Sequence, residues 1–122
     1  MDKSLSEGEI KNFLRDLQLT DYEIKVYVSL LKYGPQNYKE LTKRSSVPYG
    51  KIYYILKSLS RKGWIKSING RPRVFHATDP KEPLQNHLVK IKEQINELED
   101  LFHRMIPQLQ KLYHKSNHSE LP

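Results

Sequence analysis

The chain has 122 residues, no cysteine and a formal net charge of +7. That length allows one small domain with an appendage, and the lack of thiols excludes disulfide staples, thiolate zinc sites and cysteine nucleophiles. Ten cations and one carboxylate lie between Gln36 and Thr78, a local +9, while the segments before and after carry −1 each; such a concentration is the footprint of a polyanion partner, nucleic acid before anionic membrane.

No leading apolar run follows the first charges, and no stretch approaches the ~18 apolar residues of a membrane span, so a cytoplasmic protein without a membrane partner is expected. In chain order, Ser6 and Glu9 form the first capping box, with Leu5 and Ile10 as its hydrophobic staple. Ile10, Phe13, Leu14 and Leu17 then predict a helix over 7–17 with one apolar stripe. Thr20 and Glu23 repeat the device, with Leu19 and Ile24 as staple, and open a helix over 21–33 that Gly34 and Pro35 end. Asn37 with Glu40 starts a short helix over 38–44, anchored inward by Leu41, and Ser45, Ser46 and Val47 form a turn.

Pro48 suits the first position of the next helix, 48–62, where a missing N–H costs nothing. Its core face carries Ile52, Ile55, Leu56 and Leu59 at helical spacing. The opposite face offers Tyr49, Gly50, Lys51, Tyr54 and Lys57. Short helix, tight turn and longer basic helix follow helix-turn-helix order. The bland reading of the same pattern is an amphipathic helix with a basic, solvated outer face. Residues 64–68 and 73–77 then read as strands, rich in aromatic and branched side chains, around the turn Asn69–Gly70–Arg71–Pro72. A basic hairpin directly after a recognition helix is a wing.

Asp79, Pro80 and Glu82 signal a fourth helix start. Leu84, Leu88, Ile91, Ile95, Leu98, Phe102, Met105, Leu109 and Leu112 then alternate spacings of four and three, which predicts a coiled coil and a dimer interface. Pro107, on the outward face, removes one ladder hydrogen bond and bends the helix. The fold class is therefore mainly α: a winged helix-turn-helix domain over 1–78, a C-terminal coiled-coil dimerisation helix over 79–113, and a disordered tail over 114–122.

The residues assigned to base contacts are Tyr49, Gly50, Lys51 and Tyr54. Lys51 has the chemistry to donate to guanine, and the tyrosines to pack on thymine methyls or bond to phosphate. Gly50 is small where a groove would bring DNA close. Arg71 and Arg73 are the wing contacts, for the minor groove or flanking phosphate. Lys39, Lys43, Arg44, Ser46, Lys57 and Lys62 are the phosphate contacts, which position a protein without specifying sequence. Tyr53 is expected half-buried against the wing, and Trp64 in the core. His114 and His118 have a metal-compatible spacing but no acidic or thiol companion, so no metal site is assigned. No P-loop, catalytic triad or dinucleotide loop is present, so neither a cofactor nor an enzyme is expected.

Three stretches, LQLTDYEIKVYVSLLKYGP at 17–35, KELTKRSSVPYGKIYYILKSLSRKGWI at 39–65 and GRPRVFHATDPKEPL at 70–84, give the chain a resemblance to the N-terminal winged-helix domain of the archaeal TrmB family of transcriptional regulators. The third is the most specific, since a GRP tip followed by an aromatic and then A-x-D-P is less generic than helix-turn-helix spacing. The first two also occur in other winged-helix families, including MarR-like ones. The resemblance implies a homodimer on a double-stranded DNA operator, one recognition helix per half-site, working with archaeal transcription machinery. Better-studied members are longer and carry a sugar-binding domain, so the expectation here is a short form to which sugar sensing is not transferred. Gly50 and Tyr54 depart from the small polar and acidic residues usual at those positions, which implies a distinct operator. Two other readings stay open beside the sequence-specific regulator: a non-specific architectural or protein–protein interaction module, and an RNA binder through the same basic face.

Overall fold

The computed structural model describes residues 5–118. Three helices begin on reciprocal capping boxes: α1 (Glu7–Asp16) on Ser6 and Glu9, α2 (Asp21–Tyr33) on Thr20 and Glu23, and, after the short strand β1 (Gln36–Asn37), α3 (Tyr38–Ser45) on Asn37 and Glu40. In each, the cap side chain accepts the N–H of the third helical residue, whose carboxylate accepts the cap's own N–H. The fourth helix, α4 (Tyr49–Arg61), starts without such a cap; Pro48 is its boundary residue, not its first helical one. Strands β2 (Ile65–Ile68) and β3 (Val74–Ala77) follow, then the long helix α5 (Lys81–His118).

The sheet has the order β1-β3-β2 and is antiparallel throughout. Ile65 pairs with Ala77 and Ile68 with Val74, while Gln36 and Asn37 pair with Phe75 and Val74 on the other edge of β3. Gln36 is fully buried and satisfies its amide by donating to the Ser29 carbonyl at 3.0 Å and to the Gly34 carbonyl at 3.3 Å. Buried Ile52, Leu56 and Leu59 of α4 meet Val26, Tyr27 and Leu30 of α2 in one core, closed below by Trp64 and Ile65. The Tyr27 and Trp64 rings pack edge-to-face at 5.2 Å. Burial pushes the Tyr27 hydroxyl up to about 12, with the Asp79 carboxylate adding to the effect, so the ring stays neutral in the core.

The described chain divides into two compact units, one ending at Leu84 and one beginning at Gln85. Leu84, counted in sequence as the first coiled-coil contact, is partly buried and packs against the core of the first unit. Several other expectations change. Asp79 accepts the Lys81 N–H at 3.0 Å but closes no capping box with Glu82, and α5 begins two residues later than Asp79. The hairpin loop is five residues, 69–73, because Ile68 pairs with Val74; Arg73, expected to open the second strand, lies in the loop after the Asn69–Pro72 turn. Trp64 precedes its strand. Ile10 and Phe13 of α1 are exposed; only Leu14 is buried and Leu17 partly so, which makes the expected four-residue stripe a narrow one. Helix α5, with Pro107 inside it, runs through 114–118, residues expected to be disordered; 119–122 lie outside the described residues.

A buried polar cluster fixes the C-terminal half of α4 to α2. Glu23 is 2% exposed, yet its carboxylate accepts the Thr20 N–H at 2.8 Å, the Ser58 hydroxyl at 2.7 Å and the Lys62 ammonium at 2.9 and 3.0 Å. Lys62 also donates to the carbonyl of Gln18, a residue with a left-handed φ of 75°. Burial alone would raise the Glu23 carboxyl; the donors from Thr20, Lys62 and Ser58 outweigh it and hold the group below the usual carboxylate range.

Glu23→Ala is expected to destabilise the domain by about 2–3 kcal/mol, less than a fully buried pair because the lysine side is partly hydrated. Denaturant unfolding would measure it. A carboxyl depressed by folding stabilises above its unfolded pKa and loses that contribution as pH falls through its folded value. The gap between the native chain and Glu23→Gln should therefore be full at pH 7 and shrink below about pH 4.5.

Candidate nucleic-acid interface

The turn between α3 and α4 is made by three residues with distinct tasks. Ser46 takes the left-handed conformation, φ 59°, and ends α3. Val47 is buried as a plug, and Pro48, the residue before α4, has no N–H to satisfy. Tyr38 braces this turn from the first position of α3: its hydroxyl donates to the Tyr49 carbonyl at 3.1 Å, and the two rings meet edge-to-face at 5.3 Å. The orientation of α4 is thus held by Tyr38 at its start and Glu23 at its end.

With Ile52, Ile55, Leu56 and Leu59 buried, α4 turns Tyr49, Gly50, Lys51, Tyr54 and Lys57 outward, Tyr49 at 69% and Tyr54 at 71% exposure. Tyr53, expected against the wing and half-buried, is 57% exposed, with its ring edge-to-face on Tyr54 at 5.5 Å. It still reaches the wing side, where Tyr38, Tyr53, Lys57, Ser60, Arg73 and Phe75 are among the residues lining a cleft of about 310 Å³. Lys57 from the helix and Arg73 from the wing share this cleft, and neither forms an ion pair within the described chain. Arg71 is exposed in the 69–73 loop.

The other flank of α4 meets α2. The Lys51 ammonium lies 5.6 Å from the centre of the Tyr22 ring, and that of Lys25 lies 5.8 Å from the same ring. Two cations sharing one aromatic ring hold positive charge beside the start of α4. Tyr22 and Lys25 carry no sequence signal of their own. They sit in the acidic-flanked second helix, and only the packing of α2 on α4 brings them here. Lys25 also lines a hollow of about 270 Å³ with Glu7, Lys11, Lys32, Arg44 and Ser46. Glu7 pairs with Lys32 at 2.9 Å and Lys11 at 3.7 Å, so Lys25 and Arg44 are the cations there that carry the basic surface beyond α4.

The phosphate candidates divide. Lys39 and Lys43 are exposed on α3, and Ser46 is exposed at its end. Arg44 lies over the Tyr33 ring at 5.0 Å, a stacked position that still presents its charge. Lys62 differs from the others, because its ammonium is committed to Glu23 and Gln18 inside the domain. The pairing across 39 residues of sequence is invisible to a reading that counts only local charge. Gly50 also gains a sharper meaning. A Cβ built there meets nothing within 4 Å, and its φ is not in the left-handed region. Nothing in the fold requires glycine at this place. Among the described residues no three His, Asp or Glu side chains gather as a metal site, and no helix is long and apolar enough to cross a membrane.

Residues 14–81 match the family profile described as sugar-specific transcriptional regulator TrmB. The chain is 37% identical over 117 residues to the HTH-type sugar sensing transcriptional regulator TrmBL1 of Pyrococcus furiosus, a match covering 95% of this chain and 32% of that protein. It is 30% identical over 80 residues to the DNA-binding HTH-type transcriptional repressor TrmBL2 of Thermococcus kodakarensis, covering 66% and 30%. The chain thus spans about a third of the length of these curated relatives. A solved structure of TrmBL2, described as an archaeal chromatin protein with a novel mode of DNA binding, superposes with a TM-score of 0.73 at 24% identity; it covers 96% of this chain and 47% of its own. That likeness is one of fold.

Because the fold leaves Gly50 free, Gly50→Ala should stabilise the domain by about 0.5–1 kcal/mol. The same substitution should weaken duplex DNA binding, if the missing methyl makes room for DNA. Unfolding and binding titrations on one preparation would show the two changes with opposite signs.

Proposed function

The chain belongs to the TrmB family of transcriptional regulators, and from that premise we propose that it is a sequence-specific double-stranded DNA-binding regulator that acts as a homodimer. Helix α4 enters the major groove, and the 69–73 wing lies on the minor groove or backbone. The observation that carries this reading is the division of α4 into two faces. One is spent entirely on the core, while the other holds exposed tyrosines and lysines and a glycine that the fold does not require. Tyr49, Gly50, Lys51 and Tyr54 are the base-contact set, with Lys51 steered by Tyr22. Lys39, Lys43, Arg44, Ser46 and Lys57 serve phosphates, together with Lys25, while Arg71 and Arg73 serve the wing contact. Lys62 is assigned to positioning α4. Residues Leu88 to Leu112 of the α5 seam form the dimer contact, and the transcription machinery is the further partner.

This assigns binding, not catalysis, and no effector. A non-specific architectural module would use the same cations but show no preference among duplexes. Selection of bound sequences from random DNA tests the proposal directly. A two-fold symmetric site supports it, and enrichment of no sequence would overturn it. Affinity should fall steeply with salt, with a log–log slope near −0.9 per phosphate neutralised.

Lys51→Ala and Lys43→Ala should behave differently. The first is expected to cost about 1–3 kcal/mol on the selected site and to change the preferred sequence. The second should weaken all sequences alike and reduce the salt slope by about one. Equal effects of the two on specific and random duplexes would defeat the division of roles.

A further inference from the structure

Beyond Leu84 the helix α5 carries a seam from Leu88 to Leu112 whose apolar residues alternate spacings of three and four and are each 41–65% exposed. At the seam one set of layers is Leu88, Ile95, Phe102 and Leu109, and the other is Ile91, Leu98, Met105 and Leu112. Two flanks border these layers. Lys92, Glu99 and Ile106 follow the second set, and Gln94, Leu101 and Gln108 precede the first. Tyr113 also follows the second set and His87 precedes the first. In the middle of the seam the flanks carry Leu101 on one side and Ile106 on the other, both more than 40% exposed.

We propose that α5 pairs with α5 of a second copy in parallel and in register, and that Leu101 packed against the partner's Ile106 selects this polarity. The proposal rests on the homodimer reading above and adds its direction. In a parallel coil a residue preceding one layer faces the residue five positions further along the partner. Leu101 then meets the partner's Ile106 on both sides of the seam, Gln94 meets the partner's Glu99, Gln108 meets the partner's Tyr113, and His87 meets the partner's Lys92. No two carboxylates and no two lysines or arginines face one another across these flanks. In an antiparallel coil of full overlap, Leu88 lies opposite the partner's Leu112, and each flank meets its own kind. Glu99 then lies beside the partner's Glu99 and Lys92 beside the partner's Ile106, while Leu101 meets the partner's Leu101, so one apolar flank contact replaces the two of the parallel coil. That arrangement sets carboxylate near carboxylate and leaves an apolar side chain against an ammonium, a mismatch that works as selection against it. The parallel arrangement joins both winged domains to the coil at the same end, as two half-sites on one duplex require.

The sequence contains no cysteine, so an introduced one is the only thiol in the chain. The test uses Leu88→Cys and Leu112→Cys in the full chain, oxidised singly and as an equimolar mixture of refolded chains. In the parallel coil each variant forms a covalent dimer by itself, since like positions face one another. Cysteines at 88 and 112 in a mixed pair would lie about 36 Å apart along the axis, far beyond the ~7 Å Cα separation a disulfide tolerates. Cross-linking of the mixture alone, with neither single variant reacting, would overturn the polarity and leave the homodimer standing. A chain that sediments as a monomer at micromolar concentration would overturn the homodimer itself. A dimer that cross-links in neither format would place the contact elsewhere and also overturn the proposal. A charge exchange supplies the second measurement. Leu101→Glu should weaken dimerisation by about tenfold or more by placing a carboxylate on an apolar neighbour. Adding Ile106→Lys should restore it, because only the parallel coil brings those two positions together; failure to restore would count against the assigned contact.

Discussion

The domain depends on one buried carboxylate. Glu23 is the third residue of α2 and closes its capping box, and the same carboxylate receives Ser58 and Lys62 from α4. A group that begins one helix and pins another couples two events, the start of α2 and the seating of α4. Burial makes this demanding, since a carboxylate in a poorly hydrated place is costly unless its lone pairs are occupied. Here four donor contacts occupy them. The apolar side of α4 would pack with some freedom to slide along α2, because hydrophobic contact has little direction. The hydrogen bonds remove that freedom at one end, and Tyr38 on the Tyr49 carbonyl removes it at the other.

Local signals in the sequence were legible where one short segment contained the whole device. The boxes at Ser6, Thr20 and Asn37 place three helix starts to the residue, and Gly34 marks the end of α2. The alternation of Ile52, Ile55, Leu56 and Leu59 with outward polar residues gives the two faces of α4. What escaped needed a partner distant in sequence. β1 is two polar residues, Gln36 and Asn37, that are a strand only because β3 offers its free edge. Gln36 is buried only because Ser29 and Gly34 satisfy it.

The candidate site divides in the same way. Exposed Tyr49, Lys51, Tyr54 and Lys57 follow from helical period. The commitment of Lys62 to Glu23, the closeness of Lys51 and Lys25 to Tyr22, and the exposure of Tyr53 come from packing between elements. Charge counting located the basic segment and could not sort free cations from engaged ones. The heptad residues of α5 show the converse case: their spacing was plain, but Leu84, the first of them, is drawn into the winged-domain core by its nearness to β3 in the chain.

The open space around Gly50 carries an evolutionary consequence. A position that neither the backbone nor any neighbour constrains is one where mutation is judged by the bound partner alone. Tyr54 and Lys57 share much of that independence, since the core of α4 is complete without them. If α4 reads DNA as proposed, duplicated copies of such a gene are able to acquire new target preferences one substitution at a time, without passing through unfolded intermediates. The scaffold and its vocabulary are free to drift at different rates.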